Sequence, residues 1–508
     1  MEQKALKAQV FTNDIIFNES AELPIDVDFM LPDYCPDIVK LLKCKAEPMP
    51  ATKNVGSGII TVEGIIKISI IYSDSENDLC SYDYQFPFSK SFETDINCDG
   101  ASLSVRTKCE YLNCRAVTGR KIDIHGAAGI YVRLLKRCCQ DIIADFDDSS
   151  TELLRGKVPA TTPMGTVEKY MTIEEEVEIG AAQPPIRALL RCESDAIIRE
   201  TKLLNGKNVI RGELCIGMLY CPVEGGPQKV RATLPFSQLM ELSGANDTCS
   251  LDTKAEIVCI DIKPRVSASG EAKSFIVSAK LLITTNAFCE LDIDVVLDAY
   301  SRKYASELKH KELSFEKVSR TIDETALCKA QLDFPENALA NIIDVWCEVT
   351  SSSCKAEHEK LTVYGSLIAS IIAHDSKGIP FLYEKAIDYT YDFALDEFGK
   401  VSCEPAVEVK SCNYTLMSDN TLELRIELGI RAAIRQMNEV ILISDLSIDE
   451  KAPLKYENRG AMTIYFAATG ENLWDISRRY HASVNDVKSI NNIGDLIDAD
   501  KMIMIPIG

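Results

Sequence analysis

Histidine, tryptophan and the common catalytic motifs are scarce in this chain of 508 residues. Its five histidines are not accompanied by any Cys-x-x-Cys pair, so no zinc-binding pattern is present. The nearest glycine cluster, residues 224–229, lacks the Gly-x4-Gly-Lys-Ser/Thr spacing of a phosphate loop and is typical of a hairpin turn. Gly-x-Ser-x-Gly and His-Glu-x-x-His are also missing. We therefore predict that the protein is not an enzyme and has no catalytic residue, metal site or cofactor.

Positive charge and long hydrophobic runs are also in short supply. Asp and Glu number 77 against 55 Lys and Arg, which gives a formal net charge of −22. Such a surface repels phosphates, so we expect no nucleic acid among its partners and no attraction to anionic membranes. No apolar run approaches the length of a transmembrane helix. The first ten residues lack the apolar core of a secretion signal, so we expect a cytoplasmic protein.

Cysteine, by contrast, is abundant. The chain has 19 cysteines, an odd number that cannot all pair internally, and they are scattered through apolar strand-like segments. In a reducing compartment such residues serve as small buried hydrophobic side chains, and this is the interpretation we favour. A redox link involving the adjacent Cys138 and Cys139, or Cys109 with Cys114, is the alternative.

One short pattern occurs three times along the chain. A cysteine follows a short apolar segment, a glycine lies about twenty residues further on at the start of a second apolar run, and an aromatic residue follows that glycine at a constant distance. The glycines are about 150 residues apart, a period that suits a whole domain rather than a solenoid repeat. The pattern predicts three copies of one domain. Its members are Cys44, Gly64 and Phe88; Cys192, Gly212 and Phe236; and Cys347, Gly365 and Tyr389.

Alternating apolar and polar residues, separated by Gly, Asn, Asp and Pro, indicate half-buried antiparallel strands throughout these copies. We predict a mainly β protein with three tandem, sandwich-like domains at residues 1–145, 172–312 and 313–450. The acidic, proline-containing stretch 146–171 is expected to be a solvated linker, and residues 451–460 a second, shorter one.

The last segment, residues 461–508, has a different pattern and predicts a small βααβ module. Asn472 and Ser483 stand where they can cap two helices. Leu473, Ile476 and Tyr480 share one face of the first helix. The second helix is expected to bury Val484, Val487 and Ile490. His481, between the helices, is expected to have a surface or packing role.

This module resembles the LysM family, whose members typically bind glycans that contain N-acetylglucosamine. The match lies in residues 470–476, where the family usually has Gly-Asp-Thr-Leu-Trp-x-Ile, and in the closing strand 503–506. Residues 498–500 and 467–469 depart from the family pattern. The resemblance implies a binding groove between two loops, formed by Gly470, Glu471, Asn472, Leu473, Trp474, Asn492, Ile493, Gly494, Asp495, Leu496 and Ile497. Trp474 is either a core residue or a contact residue.

The three repeats resemble the SPOCS domain of spore coat proteins in endospore-forming bacteria. This resemblance rests on three features: a proline before the cysteine strand, the Val-x-Gly start of the next strand, as at residues 62–64, and the aromatic residue that follows. Three such domains followed by a LysM module imply a non-enzymatic adaptor in spore coat and cortex morphogenesis. By this resemblance it would bind a coat-scaffolding morphogenetic ATPase through the LysM module, in the mother-cell cytosol at the forespore surface. The alternatives are a peptidoglycan-binding protein that uses the same groove and an enzyme hidden within the repeats.

Overall fold

The computed structural model describes residues 5–56, 58–146, 148–268, 270–335, 339–357, 359–395, 401–418, 420–454 and 462–506. Antiparallel strands dominate this part of the chain, and it contains two short helices. The predicted mainly β fold class is confirmed. His358 and most of the predicted linker 451–460 lie outside the described residues.

The first unit folds as two three-stranded sheets. Its sheets have the orders β1-β6-β5 and β2-β3-β4. They pack face to face over a core that includes Ile66 and Ile68 from one sheet and Ile124 and Ile130 from the other. The strands are β1 (Ala5–Met30), β2 (Lys40–Val55), β3 (Ile59–Ser73), β4 (Leu79–Glu93), β5 (Ala101–Ala116) and β6 (Lys121–Phe146).

The same order of strand pairing recurs twice. The second unit pairs β7-β12-β11 and β10-β9-β8, and the third pairs β14-β15-β16 and places β13, β17 and β18 on β19. The second unit consists of β7 (Thr151–Glu178), β8 (Ile186–Leu204), β9 (Lys207–Pro222), β10 (Gln228–Glu241), β11 (Ser250–Val266) and β12 (Ala272–Ser301). The third consists of β13 (Tyr304–Asp333), β14 (Asn341–Glu357), β15 (Lys360–His374), β16 (Pro380–Ala394), β17 (Val401–Cys403), β18 (Ala406–Ser418) and β19 (Thr421–Pro453).

The stretch 146–171 differs from the solvated linker that its composition predicts. From Thr151 onward it forms the first part of the 28-residue strand β7. Pro159 and Pro163 are accommodated because β7 pairs only with β12 and lies at the edge of its sheet, where a missing N–H breaks no ladder. The predicted boundary between residues 312 and 313 likewise falls inside a continuous strand, β13.

The repeated glycine and aromatic residue are cross-strand partners. Gly64 stands opposite Phe88, Gly212 opposite Phe236, and Gly365 opposite Tyr389. At each glycine there is no room for a side chain. An added Cβ would lie 2.1 Å from the carbonyl oxygen of the facing strand at Gly64 and Gly365, and 2.3 Å from the ring of Phe236 at Gly212. The constant spacing between the glycine and the aromatic residue therefore has a structural cause, because in each unit the aromatic ring packs over the glycine backbone.

The cysteine of the third copy is not equivalent to the other two. Cys44 faces Ile70 and Cys192 faces Met218, each six residues after the repeated glycine. In the third unit that position, Ile371, faces Val345. Cys347 therefore lies two residues beyond the position equivalent to Cys44 and Cys192, and the predicted equivalence is wrong. Because side chains alternate along a strand, a displacement of two residues keeps Cys347 on the same face.

Side chains from all three units meet in one cluster. Ile71, Leu219 and Ile372, each seven residues after its glycine, pack together with Trp346. A β-bulge at the same place in each unit, at Leu42, Leu190 and Ile343, adds one further apolar side chain to this cluster. Because equivalent positions converge, the three units surround a pseudo-threefold axis.

The long outer strands converge in the same threefold manner. The paired ends of β1 and β6, β7 and β12, and β13 and β19 extend past the sandwiches as three two-stranded ribbons. Ile143, Val296 and Ile443, which precede equivalent bulges, pack in one shared cluster. The units are therefore joined at two levels along the axis and form one packed body.

One buried ion cluster links the second and third units. The carboxylate of Asp344 is 2% exposed and accepts hydrogen bonds from Arg191 Nε at 3.0 Å and Lys229 Nζ at 2.9 Å. The Arg191 guanidinium also lies over the ring of Trp346, 4.2 Å from its centroid. Two cations on one buried carboxylate offset the cost of removing it from water.

The C-terminal module has the predicted βααβ order. It consists of β20 (Met462–Ala467), α1 (Leu473–Tyr480), α2 (Val484–Asn491) and β21 (Lys501–Pro506), and the two strands pair antiparallel. Its core includes Ile476, Val487, Ile503 and Ile505. Ile490 is exposed, so the predicted buried stripe of the second helix is wrong at that residue.

The cysteines are mostly free thiols, many of them buried or half-buried. Cys249 and Cys289 are the exception, because a disulfide joins Cys249, the residue before β11, to Cys289 on β12. This differs from the expectation of small buried hydrophobic side chains. Cys109 and Cys114, considered as a redox pair, remain unbonded.

Substitution of the third glycine tests the cross-strand motif. We expect Gly365→Ala to lower the free energy of unfolding by about 1–3 kcal/mol, because its Cβ would push against the main chain of β14 and the Tyr389 ring. Gly226→Ala is the matched control, since nothing lies within 4 Å of that position. Denaturant unfolding of the two variants gives the comparison, and equal stabilities would contradict the motif.

Candidate functional site

The two loops of the predicted groove meet in the C-terminal module. Asn472 caps α1 by accepting from Trp474 N at 2.9 Å, and its backbone forms an isolated bridge with Leu496. Leu473 N–H donates to Asp495 O at 2.8 Å, and Ile497 N–H to Glu471 O at 3.0 Å. The chain thus brings both predicted loops together, but these main-chain donors are already used within the module.

The predicted groove residues differ in their accessibility. Gly470, Asn472, Asn492, Gly494, Asp495 and Leu496 are exposed, while Glu471 and Ile493 are half-buried. Leu473, Trp474 and Ile497 are buried. Leu473 and Ile497 belong to the hydrophobic core of the module, so neither side chain lines an open groove. Leu496, 64% exposed, is the apolar side chain that the loops present to solvent.

Polar contacts hold the first loop in place. Glu471 accepts hydrogen bonds from the Tyr465 hydroxyl and from Ala468 N–H, both at 2.9 Å. The bond from the hydroxyl raises the pKa of Tyr465. The backbone and hydroxyl of Thr469 donate to Asp500 at 2.7 and 2.8 Å, which lowers the pKa of that carboxyl. The departures from the family pattern at residues 467–469 and 498–500 are thus bonded to each other through Thr469 and Asp500.

Trp474 lies at an interface between the module and the second unit. It is 7% exposed, and its indole N–H donates to Asp298 at 2.8 Å. Arg478 donates to the same carboxylate oxygen at 2.7 Å. The Tyr300 ring packs edge-on against the indole, with centroids 5.0 Å apart, and its hydroxyl donates to Ala482 O at 2.6 Å. Trp474 is thus buried against the second unit of this chain, whereas the contact role predicted for it was contact with a bound partner.

His481 belongs to the same interface. Its left-handed backbone ends α1, and its Nδ1 lies 3.0 Å from Ser301 O. Sequence reasoning did not include Asp298, Tyr300 or Ser301 in any site. The available signal was a difference between two units. Asp298 has an equivalent aspartate in the third unit, Asp445, whereas the position equivalent to Tyr300 is occupied by Ser447.

The outer face of the module's sheet is also apolar. Along β20 and β21 five side chains on this face are exposed, and Phe466 reaches 78%. Phe466 stands opposite Met502, and Ile464 opposite Met504, so the side chains form one continuous strip with Met462. We call Met462, Ile464, Phe466, Met502 and Met504 the outer strip. An exposed apolar surface of this kind on a small folded module is typical of an interaction site.

Metal ligands and membrane-spanning helices are two further features to consider in the part of the chain that the structure describes. Within these residues, no group of three or more His, Cys, Asp or Glu is arranged to hold a metal ion. No helix among them is long and apolar enough to cross a lipid bilayer.

Comparison with known proteins relates two regions to one family. The family model described as "SipL, SPOCS domain" matches residues 37–117 and 185–264. Both regions are similar to the SPOCS domain. They cover the same four strands in two units, β2–β5 and β8–β11, and end before the long ribbon strands. Neither a curated protein nor a solved structure matches the chain.

Removal of the Asp298 carboxylate tests the interface. We expect Asp298→Ala to weaken docking of the module by about 1.5–3 kcal/mol, because the indole and the Arg478 guanidinium lose their shared acceptor. The chain has two tryptophans, and Trp346 is buried at the axis. A red shift in tryptophan emission would therefore report on Trp474. The control is Asp445→Ala, at the equivalent position, where Lys309 is the partner; a similar shift there would contradict the assignment.

Proposed function

We propose that this chain is a non-enzymatic assembly adaptor in spore coat and cortex morphogenesis, with three SPOCS domains and a C-terminal LysM module. Two similarities to the SPOCS domain of SipL support the sporulation-related role. The predicted partner is the coat-scaffolding morphogenetic ATPase, which the LysM module would bind at the forespore surface in the mother-cell cytosol.

The third unit is proposed as a third SPOCS domain. Its strands β14–β18 correspond in pairing order to β2–β5 and β8–β11, the strands that the family model covers. It repeats the cross-strand pair of glycine and aromatic residue as Gly365 and Tyr389. A tyrosine in place of phenylalanine fits because its hydroxyl donates to Ser351 O at 2.8 Å.

The exposed apolar side chain of Leu496 is the observation that carries the proposal of a protein partner. It lies in the second loop of the proposed LysM groove, beside the N–H groups of Leu473 and Ile497, which already donate within the module. A sugar needs free hydrogen-bonding groups, whereas an apolar anchor suits a protein surface. The outer strip provides a further apolar surface on the same module.

Peptidoglycan binding is the second candidate, and it rests on the meeting of the two loops. Asn492, Gly494 and Asp495 are exposed there and offer polar groups beside Leu496. A glycan that contains N-acetylglucosamine would use these groups.

Leu496→Asp tests the adaptor. We expect it to reduce capture of the ATPase by about tenfold or more, because a charge would replace an apolar anchor, an effect of at least about 1.4 kcal/mol. The three units should keep their melting transition, since this side chain points to solvent. Asn485→Asp, exposed on α2 and away from the loops, is the matched control.

Two further measurements separate the alternatives. Phe466→Asp in the outer strip, tested in parallel, shows whether capture depends on the loops or on the sheet face. Sedimentation with purified peptidoglycan tests the glycan. Saturable sedimentation that Leu496→Asp abolishes, together with unchanged ATPase capture in both variants, would overturn the adaptor and support the second candidate.

A further inference from the structure

Two thiols of the third unit lie in contact across its two sheets. Cys347 Sγ on β14 is 3.3 Å from Cys412 Sγ on β18, although the two residues are far apart in sequence. β14 belongs to the sheet β14-β15-β16, and β18 pairs with β19 in the other sheet. A disulfide bond is about 2.05 Å long, so a small movement of the side chains would close it.

The first unit has a thiol pair at the corresponding crossing. Cys44 on β2 lies beside Cys114 on β5, and these strands occupy the same places in the first unit as β14 and β18 in the third. The two pairs are displaced by two residues along the strands, as the register of Cys44 and Cys347 shows. Thiols thus face each other at this crossing in two of the three units.

The two thiols of the third unit are not equally reactive. Cys347 is buried, whereas Cys412 is half-buried. A hydrogen bond from the Cys347 thiol lowers the pKa of Cys412, and the same contact together with burial raises the pKa of Cys347. Since the thiolate is the nucleophile, Cys412 is the first to react and Cys347 the second.

We propose that Cys347 and Cys412 are an oxidative cross-linking site, which joins the two sheets of the third unit when the protein meets a low-molecular-weight disulfide. This role does not depend on the adaptor function.

The reaction balances as two thiol–disulfide exchanges. The Cys412 thiolate attacks one sulfur of the small disulfide, a mixed disulfide forms, and one small thiolate leaves. Cys347 then loses its proton and attacks Cys412 Sγ in the mixed disulfide, which releases the second small thiolate. Two protein thiols are oxidised, one small disulfide is reduced, and the two protons end on the two released small thiols. In a reducing compartment the equilibrium keeps the pair as thiols.

Oxidised glutathione is the probe that tests this site in the full-length chain. After incubation of the folded protein, blocking of free thiols and digestion without reductant, we expect a new linked peptide that contains Cys347 and Cys412, beside the one that contains Cys249 and Cys289. The link closes a long loop, so the oxidised protein should melt several degrees higher than the reduced protein. Cys139→Ser, which changes an exposed thiol outside the pair, is the control and should leave the link intact.

Two variants and a second reagent make the result decisive. Cys412→Ser should abolish the link and leave Cys347 unmodified, while Cys347→Ser should stop the reaction at a glutathione adduct on Cys412. A trivalent arsenical, which binds two adjacent thiols without oxidising them, should protect Cys347 and Cys412 from alkylation in the wild type, but should not protect the one remaining thiol of the pair in either variant. The proposal is overturned if the link forms only in denaturant, if Cys412 in wild type carries only glutathione, or if the arsenical protects the one remaining thiol of the pair in the variants equally well.

Discussion

The packing of Ile71, Leu219 and Ile372 against one another is the contact on which the rest of the architecture depends. Each unit has its own sandwich core, but this cluster and the ribbon cluster around Ile143, Val296 and Ile443 exist only when all three units are present. Burial of this apolar surface is the force that joins the units. The ion cluster at Asp344 then distinguishes the units from one another. The position of Asp344 is occupied by Lys43 in the first unit and by Arg191 in the second.

This arrangement determines where the C-terminal module can lie. The ribbons present equivalent aspartates at 145, 298 and 445, yet the first and third bind Arg155 and Lys309. Asp298 instead accepts from Trp474 and Arg478, and Tyr300 supports the same contact. The module is therefore attached to the second unit through α1, which leaves the loops with Leu496 and the outer strip facing away from the buried interface. This arrangement, one small module on a base of three packed units, is the one on which the proposed adaptor function rests.

Much of the fold was accessible from the sequence, and the failures have physical reasons. The glycine and aromatic spacing was visible in the sequence, but the contact between the two residues was seen only in the structure, where a ring covers a backbone that has no side chain. The caps at Asn472 and Ser483 were predicted from local rules. The linker prediction failed at 151–171 because edge strands tolerate proline and polar residues. In the site, hydrogen bonds join the two loops that were predicted to flank the groove. The roles of Leu473, Trp474 and Ile497 depend on packing against distant residues, which a local pattern does not contain.

Hydrogen exchange measured segment by segment in a Leu219→Ala variant tests the central claim most directly. Leu219 belongs to β9 of the second unit, but its side chain packs at the axis. If the three units form one body, the cavity should reduce amide protection in β3, β9 and β15 together, because all three strands contribute to the cluster. Loss of protection confined to the second unit, with β3 and β15 unchanged, would show that the units are stable separately and would contradict the account.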